Sequence, residues 1–142
     1  NLLAGTPDEL MYYSNELQKI EQLSPGLYGL SNHLLNTPWP KVEQARKDLQ
    51  QAIDQDEITE ERLFELLKHD VPAPDDTLPS TGLSLELERA VSSVFIKTKG
   101  YGTRASTVVL IDKKGHVTFS ERRYGPGVAE GRETGRFEFD IG

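Results

Sequence analysis

Thr103-Arg104-Ala105-Ser106-Thr107-Val108-Val109-Leu110-Ile111-Asp112-Lys113-Lys114-Gly115-His116-Val117-Thr118-Phe119-Ser120 reads as a β-hairpin and sets the architecture. Its β-branched run is apolar on both faces after Thr107, the pattern of a strand with neighbours on either side. Lys113-Lys114-Gly115 supplies the turn, because glycine reaches the left-handed backbone region that tight hairpins need. On the return, Val117 and Phe119 alternate with Thr118 and Ser120. A central strand over 103–112 is therefore predicted, paired antiparallel with the segment that follows.

Towards the C-terminus, a Gly-rich loop around Gly125 to Gly135 leads into Phe137, Phe139 and Ile141, which alternate with polar residues as one more strand. Towards the N-terminus, Lys97-Thr98-Lys99-Gly100-Tyr101-Gly102 is a turn, and Ser84 can cap a short helix with Glu86 and Glu88 in its first turn. Residues 70–82 hold Pro72, Pro74 and Pro79 and read as a loop. Thr59 is the predicted N-cap of a helix ending near Lys68. Thr37-Pro38 predicts the start of another, running to Asp54, with Val42, Ala45, Leu49, Ala52 and Ile53 on its inner face. Residues 1–4, 9–15 and 19–23 read as short strands, and Leu27 to Asn32 as a further one.

Sixteen Lys and Arg against twenty-three Asp and Glu leave the 142-residue chain at −7, one acidic domain over 1–142. That balance argues against sequence-independent nucleic-acid binding, which needs cations to displace counterions from phosphate. No apolar run approaches the ~20 residues that cross a bilayer, so no transmembrane segment is expected and the working location is cytoplasmic. Zero cysteines remove disulfides, zinc ribbons and thiolate catalysis from these residues. The opening Asn1-Leu2-Leu3-Ala4-Gly5, apolar and without an initiator Met, suggests a piece of a longer protein.

His33, His69 and His116 share no ligand spacing, so no metal and no cofactor is expected. Gly100-Tyr101-Gly102-Thr103-Arg104 is half of a dinucleotide loop, but a strand follows where a nucleotide-binding helix is required. Arg104 has two readings: an ion pair with a carboxylate at a strand entry, or an anion-holding, carbonyl-polarising group. Asn32 likewise either tolerates a turn or projects an amide donor suited to an oxyanion. No Gly-x-Ser-x-Gly elbow occurs, and no serine lies near a His–Asp pattern. Trp39, between Pro38 and Pro40, reads as a packing staple at a helix entry.

Three blocks in order, Pro25-Gly26-Leu27-Tyr28-Gly29-Leu30-Ser31-Asn32, Thr37-Pro38-Trp39-Pro40-Lys41-Val42 and Tyr101-Gly102-Thr103-Arg104-Ala105-Ser106-Thr107-Val108, resemble the NRDE family, also called the transport and Golgi organization family. Val117 to Arg122 and Phe137-Glu138-Phe139 extend the likeness from Tyr12 to near the end. The family is similar to N-terminal-nucleophile hydrolases, so the resemblance implies an α+β fold, part of an αββα sandwich with antiparallel strands and about three helices. The family's early cysteine and its Asn-Arg-Asp-Glu stretch have no counterpart here, which implies a C-terminal portion whose missing N-terminal half is its first partner.

By likeness to penicillin V acylases and bile salt hydrolases, Asn32 would serve the oxyanion and Arg104 would support the nucleophile, with His33, Tyr101 and Thr103 at the substrate. In the intact protein this implies C–N bond hydrolysis by a cysteine outside these residues; the chain alone would hydrolyse nothing. The competing class is a non-catalytic carrier of haem or a lipid-like ligand, acting in secretory transport and Golgi organization. Sheet surfaces left bare are expected to drive self-association.

Overall fold

The computed structural model describes residues 1–125 and 132–142, so most of the expected Gly-rich loop lies outside the described residues. Among the described residues it is an α+β chain with two antiparallel three-stranded sheets and three α-helices. Two compact units divide it, Asn1–Thr37 and Pro38–Gly142.

The first unit is a β-meander. Strands β1 (Leu2–Thr6), β2 (Glu9–Ser14) and β3 (Lys19–Leu23) pair in sequence order, with Leu3 opposite Tyr12 and Tyr12 opposite Glu21. Tyr12 and Ser14 are buried, whereas Leu2, Leu3 and Ile20 remain exposed. The strand expected over Leu27 to Asn32 is absent. Instead Asn36, at φ 59°, closes a loop: its N–H donates to the Gly29 carbonyl at 2.7 Å and its side-chain oxygen accepts the Gly29 N–H at 2.9 Å. Once Asn36 satisfies both backbone groups of Gly29, no partner strand is needed.

In the second unit, α1 (Pro40–Asp54) begins at the second proline of the pair around Trp39. Trp39 is the N-cap without a side-chain cap bond, so the start predicted at Thr37-Pro38 is corrected by two residues. Thr37 instead donates its hydroxyl to the Leu34 carbonyl at 2.8 Å, and the residue before Pro40 is held extended, which bars an earlier helical turn. Val42 and Ala52 are buried on the expected face, but Ile53 is exposed. Helix α2 (Glu60–Leu66) has the predicted cap, the Arg62 N–H donating to Thr59 Oγ1 at 3.2 Å. Helix α3 (Leu85–Ala90) is capped by Ser84 as expected, and a 3-10 turn over Asp75–Thr77 interrupts the proline-rich loop.

Strands β4 (Ala105–Ile111), β5 (His116–Arg123) and β6 (Arg132–Asp140) form the second sheet in that order. The central strand is therefore β5, not β4: among the described residues β4 has one neighbour, and Val109 and Ile111 are half exposed. The turn is as expected, with Gly115 at φ 83° and a Cβ there meeting the Ile141 carbonyl oxygen at 2.5 Å. Helix α2 covers one side of the sheet. Phe64, fully buried, lies 4.0 Å beneath the Arg122 guanidinium, which also binds Glu61 through two hydrogen bonds. Arg136 reaches Glu60 at 3.0 Å from β6. Ser106, Val108, Ser120 and Tyr124 are buried in the same unit.

Candidate functional site

In the first unit, Asn32 sits in a bend rather than at a strand end, and it is exposed. Its carbonyl oxygen accepts the Ser31 hydroxyl at 3.3 Å, leaving the amide N–H₂ without a protein acceptor among the described residues. The loop that carries it is anchored from beneath. Tyr12, buried on β2, donates its hydroxyl to Asn1 Oδ1 at 2.7 Å and accepts the Leu35 N–H at 3.1 Å, and Asn1 donates its amide to the His33 carbonyl at 2.9 Å. His33 Nδ1 lies 2.9 Å from Thr37 Oγ1, and its Nε2 lies 4.0 Å from Glu16. Tyr12 is the organising residue that sequence reasoning missed; the run Leu10-Met11-Tyr12-Tyr13 is apolar at every position and carries no alternation that would single it out.

In the second unit, Tyr101, Thr103 and Arg104 line one cavity of about 580 Å³. The segment from Phe95 to Arg104 doubles back on itself to make it. The Thr103 N–H donates to the Ile96 carbonyl at 2.9 Å, the Ile96 N–H donates to Thr103 Oγ1 at 2.9 Å, and Lys97 bridges Gly102 antiparallel. The turn is cinched by Thr98, whose hydroxyl donates to the Tyr101 carbonyl at 2.6 Å and accepts the Tyr101 N–H at 3.1 Å. Gly102 is required at the crossing, since a Cβ there would meet the Ile96 carbonyl oxygen at 2.8 Å. Phe95 and Tyr124 contribute apolar wall, their rings edge to face at 4.7 Å, and the Tyr124 N–H ties that wall to the Arg104 carbonyl at 2.9 Å. The Tyr124 hydroxyl is buried and has no partner among the described residues.

Lys97 and Lys99 also line this cavity and were not singled out in the sequence, although two lysines bracketing a turn in an acidic chain were visible. Lys97 pairs with Asp70 at 3.2 Å. Among the described residues no carboxylate lies within ion-pair distance of Arg104, so the simpler sequence reading of it, as half of an ion pair, finds no partner there. The carboxylates cluster elsewhere, on Arg46, Arg62, Arg89, Arg122, Arg123 and Arg136.

A second hollow of about 260 Å³ is lined by Lys41, His69, Ser92, Ser93 and the proline segment 72–74. Lys41 donates to the Val91 carbonyl at 3.0 Å, and burial holds its ammonium below the ordinary lysine range despite the attraction of Glu88. His116 pairs with Asp140 at 2.8 Å on the surface, and that hydrogen bond raises its pKa. Among the described residues no group of three His, Cys, Asp or Glu could hold a metal ion, and no helix is long and apolar enough to cross a membrane.

With this geometry in hand, residues 1–126 match a family described as Transport and Golgi organisation 2. The Transport and Golgi organization 2 homolog of Mus musculus is 33% identical over 151 residues, covering 99% of this chain and 54% of its own length. The Bos taurus homolog is 35% identical over 133 residues, covering 86% of this chain and 48% of its own length. For the Homo sapiens homolog the values are 32% over 150 residues, 99% and 54%. The chain thus spans about half the length of the curated relatives it matches.

Proposed function

The chain belongs to the Transport and Golgi organisation 2 family, and from that premise we propose that it furnishes the ligand-holding part of a non-catalytic carrier acting in secretory transport and Golgi organization. The cavity in the second unit is the holding site, with Tyr101, Thr103 and Arg104 as binding residues. The observation that supports this most is the convergence of those three side chains on one hollow with aromatic wall and hydroxyl rim. Such a mixture, apolar walls with a few convergent polar groups, is what small-molecule sites are made of. A lipid-like ligand or haem is the expected cargo class.

A second reading is an amidohydrolase-like site in the intact protein. It draws on the amide donor of Asn32, without a protein acceptor among the described residues, which would serve the developing oxyanion while a cysteine outside this chain attacks the C–N bond. One experiment on the full-length protein separates the two. It is incubated with an amide library and an electrophilic cysteine probe, and in parallel titrated with haem and with a long-chain amphiphile while the Tyr101 and Thr103 resonances are followed. Stoichiometric uptake without turnover, weakened in Tyr101→Ala, is the expected result. Amide turnover abolished by Asn32→Ala would replace the carrier with the hydrolase.

A further inference from the structure

Among the described residues the cavity walls carry three cations and no carboxylate, in a chain whose formal charge is −7. Lys97 is matched by Asp70, but Lys99 and Arg104 have no acidic partner among the described residues, which leaves two positive charges on one hollow. Unbalanced cations beside an apolar wall raise the local electrostatic potential and so lower the energy of an anion there, and the effect survives an overall negative charge because screening limits distant charges to about a Debye length, roughly 8–10 Å. Hydroxyls complete the set. Thr103 Oγ1 accepts the Ile96 N–H, so its own proton remains to be donated, and the Tyr101 hydroxyl is exposed at the rim. Arg104 presents a planar fork suited to two oxygens at once. The Phe95 and Tyr124 rings line the same cavity.

We infer that the cavity takes an amphiphile whose anionic group, a phosphate or a carboxylate, lies between Lys99 and Arg104 while its apolar part lies against Phe95 and Tyr124. This rests on the cavity being the holding site and adds the charge and shape of what it holds. The test is calorimetric titration of the full-length protein with octyl phosphate, octanoate, octanol and inorganic phosphate, with Tyr101 and Thr103 resonances as reporters of place. Octyl phosphate or octanoate should bind more tightly than octanol and more tightly than inorganic phosphate, and the pair identifies which anionic head is preferred. Lys99→Ala and Arg104→Ala should each weaken that binding roughly tenfold at low salt, with a smaller loss at high salt, and substitution of Lys47, exposed on α1 and not among the lining residues, by alanine (Lys47→Ala) should leave it unchanged. Octanol binding as tightly as octyl phosphate, indifferent to Arg104→Ala, would overturn the anionic assignment and leave the cavity as the holding site. Inorganic phosphate matching octyl phosphate would overturn the apolar half. Resonances of Tyr101 and Thr103 unmoved by every compound would sink the holding site itself, a failure distinct from both.

Discussion

Glu88 shows how much a single side chain can hide. From the sequence it is a first-turn acid that complements the positive end of a helix. In the fold it is buried, and its Oε1 accepts both the Thr81 N–H at 2.8 Å and the Thr81 hydroxyl at 2.5 Å. Those bonds, the hydroxyl's first, hold its pKa below the ordinary carboxylate value of 4.5, with Lys41 adding attraction. A folded-state pKa below the unfolded one contributes stability above pH 4.5, lost as pH falls through the folded value. Glu88→Gln should therefore lower the urea midpoint most at neutral pH, and the gap from the parent protein should close in acid; a gap independent of pH would refute the ionic role. The partner was illegible because Thr81 lies across an irregular loop, where no periodicity announces contacts. The turn that carries Tyr101, Thr103 and Arg104 was easier, since a Gly-Tyr-Gly segment next to a β-branched run announces itself. Whether Asn32 and Arg104 share a site was not written in either neighbourhood, because proximity of distant segments is a property of packing and not of local pattern.

At the level of elements, what could be read followed the strength of the local chemistry. Strand β3, the β4–β5 turn and the caps at Thr59 and Ser84 all have short-range causes, and all are where the sequence places them. Removing the cap oxygen in Thr59→Ala should destabilise the protein by about 1 kcal/mol, within the roughly 0.5–2 kcal/mol typical of such losses, and Thr59→Ser should restore most of it. Chemical denaturation reads both; equal midpoints would show that Thr59 is dispensable. The start of α1 was misplaced because two prolines compete for the first helical position, and sequence alone gives no reason to prefer the second. The residues of β4 suit burial on both faces and so predict a central strand, yet among the described residues one of those faces meets little.

That bare face is a property of the whole molecule. Val109, Ile111, Phe137 and Phe139 are 48–61% exposed on β4 and β6. By the register they stand beside Phe119 and Val117 on one side of the sheet, opposite the side that α2 covers. Contiguous apolar surface of this kind draws proteins together. The 142-residue chain by itself should self-associate with rising concentration in sedimentation velocity, and Phe137→Asp should shift it towards monomer. A monomer at all concentrations would show that the face is tolerated in water.

Hairpin tips are ordinarily the places where a chain accommodates extra residues at little cost. Here the tip at Gly115 also receives the Ile141 N–H on its carbonyl at 2.9 Å, so the bend between two strands doubles as a latch for the last one. Lengthening that bend by one residue would break this bond and fray the end of β6, while the ladder to β5 further along would hold.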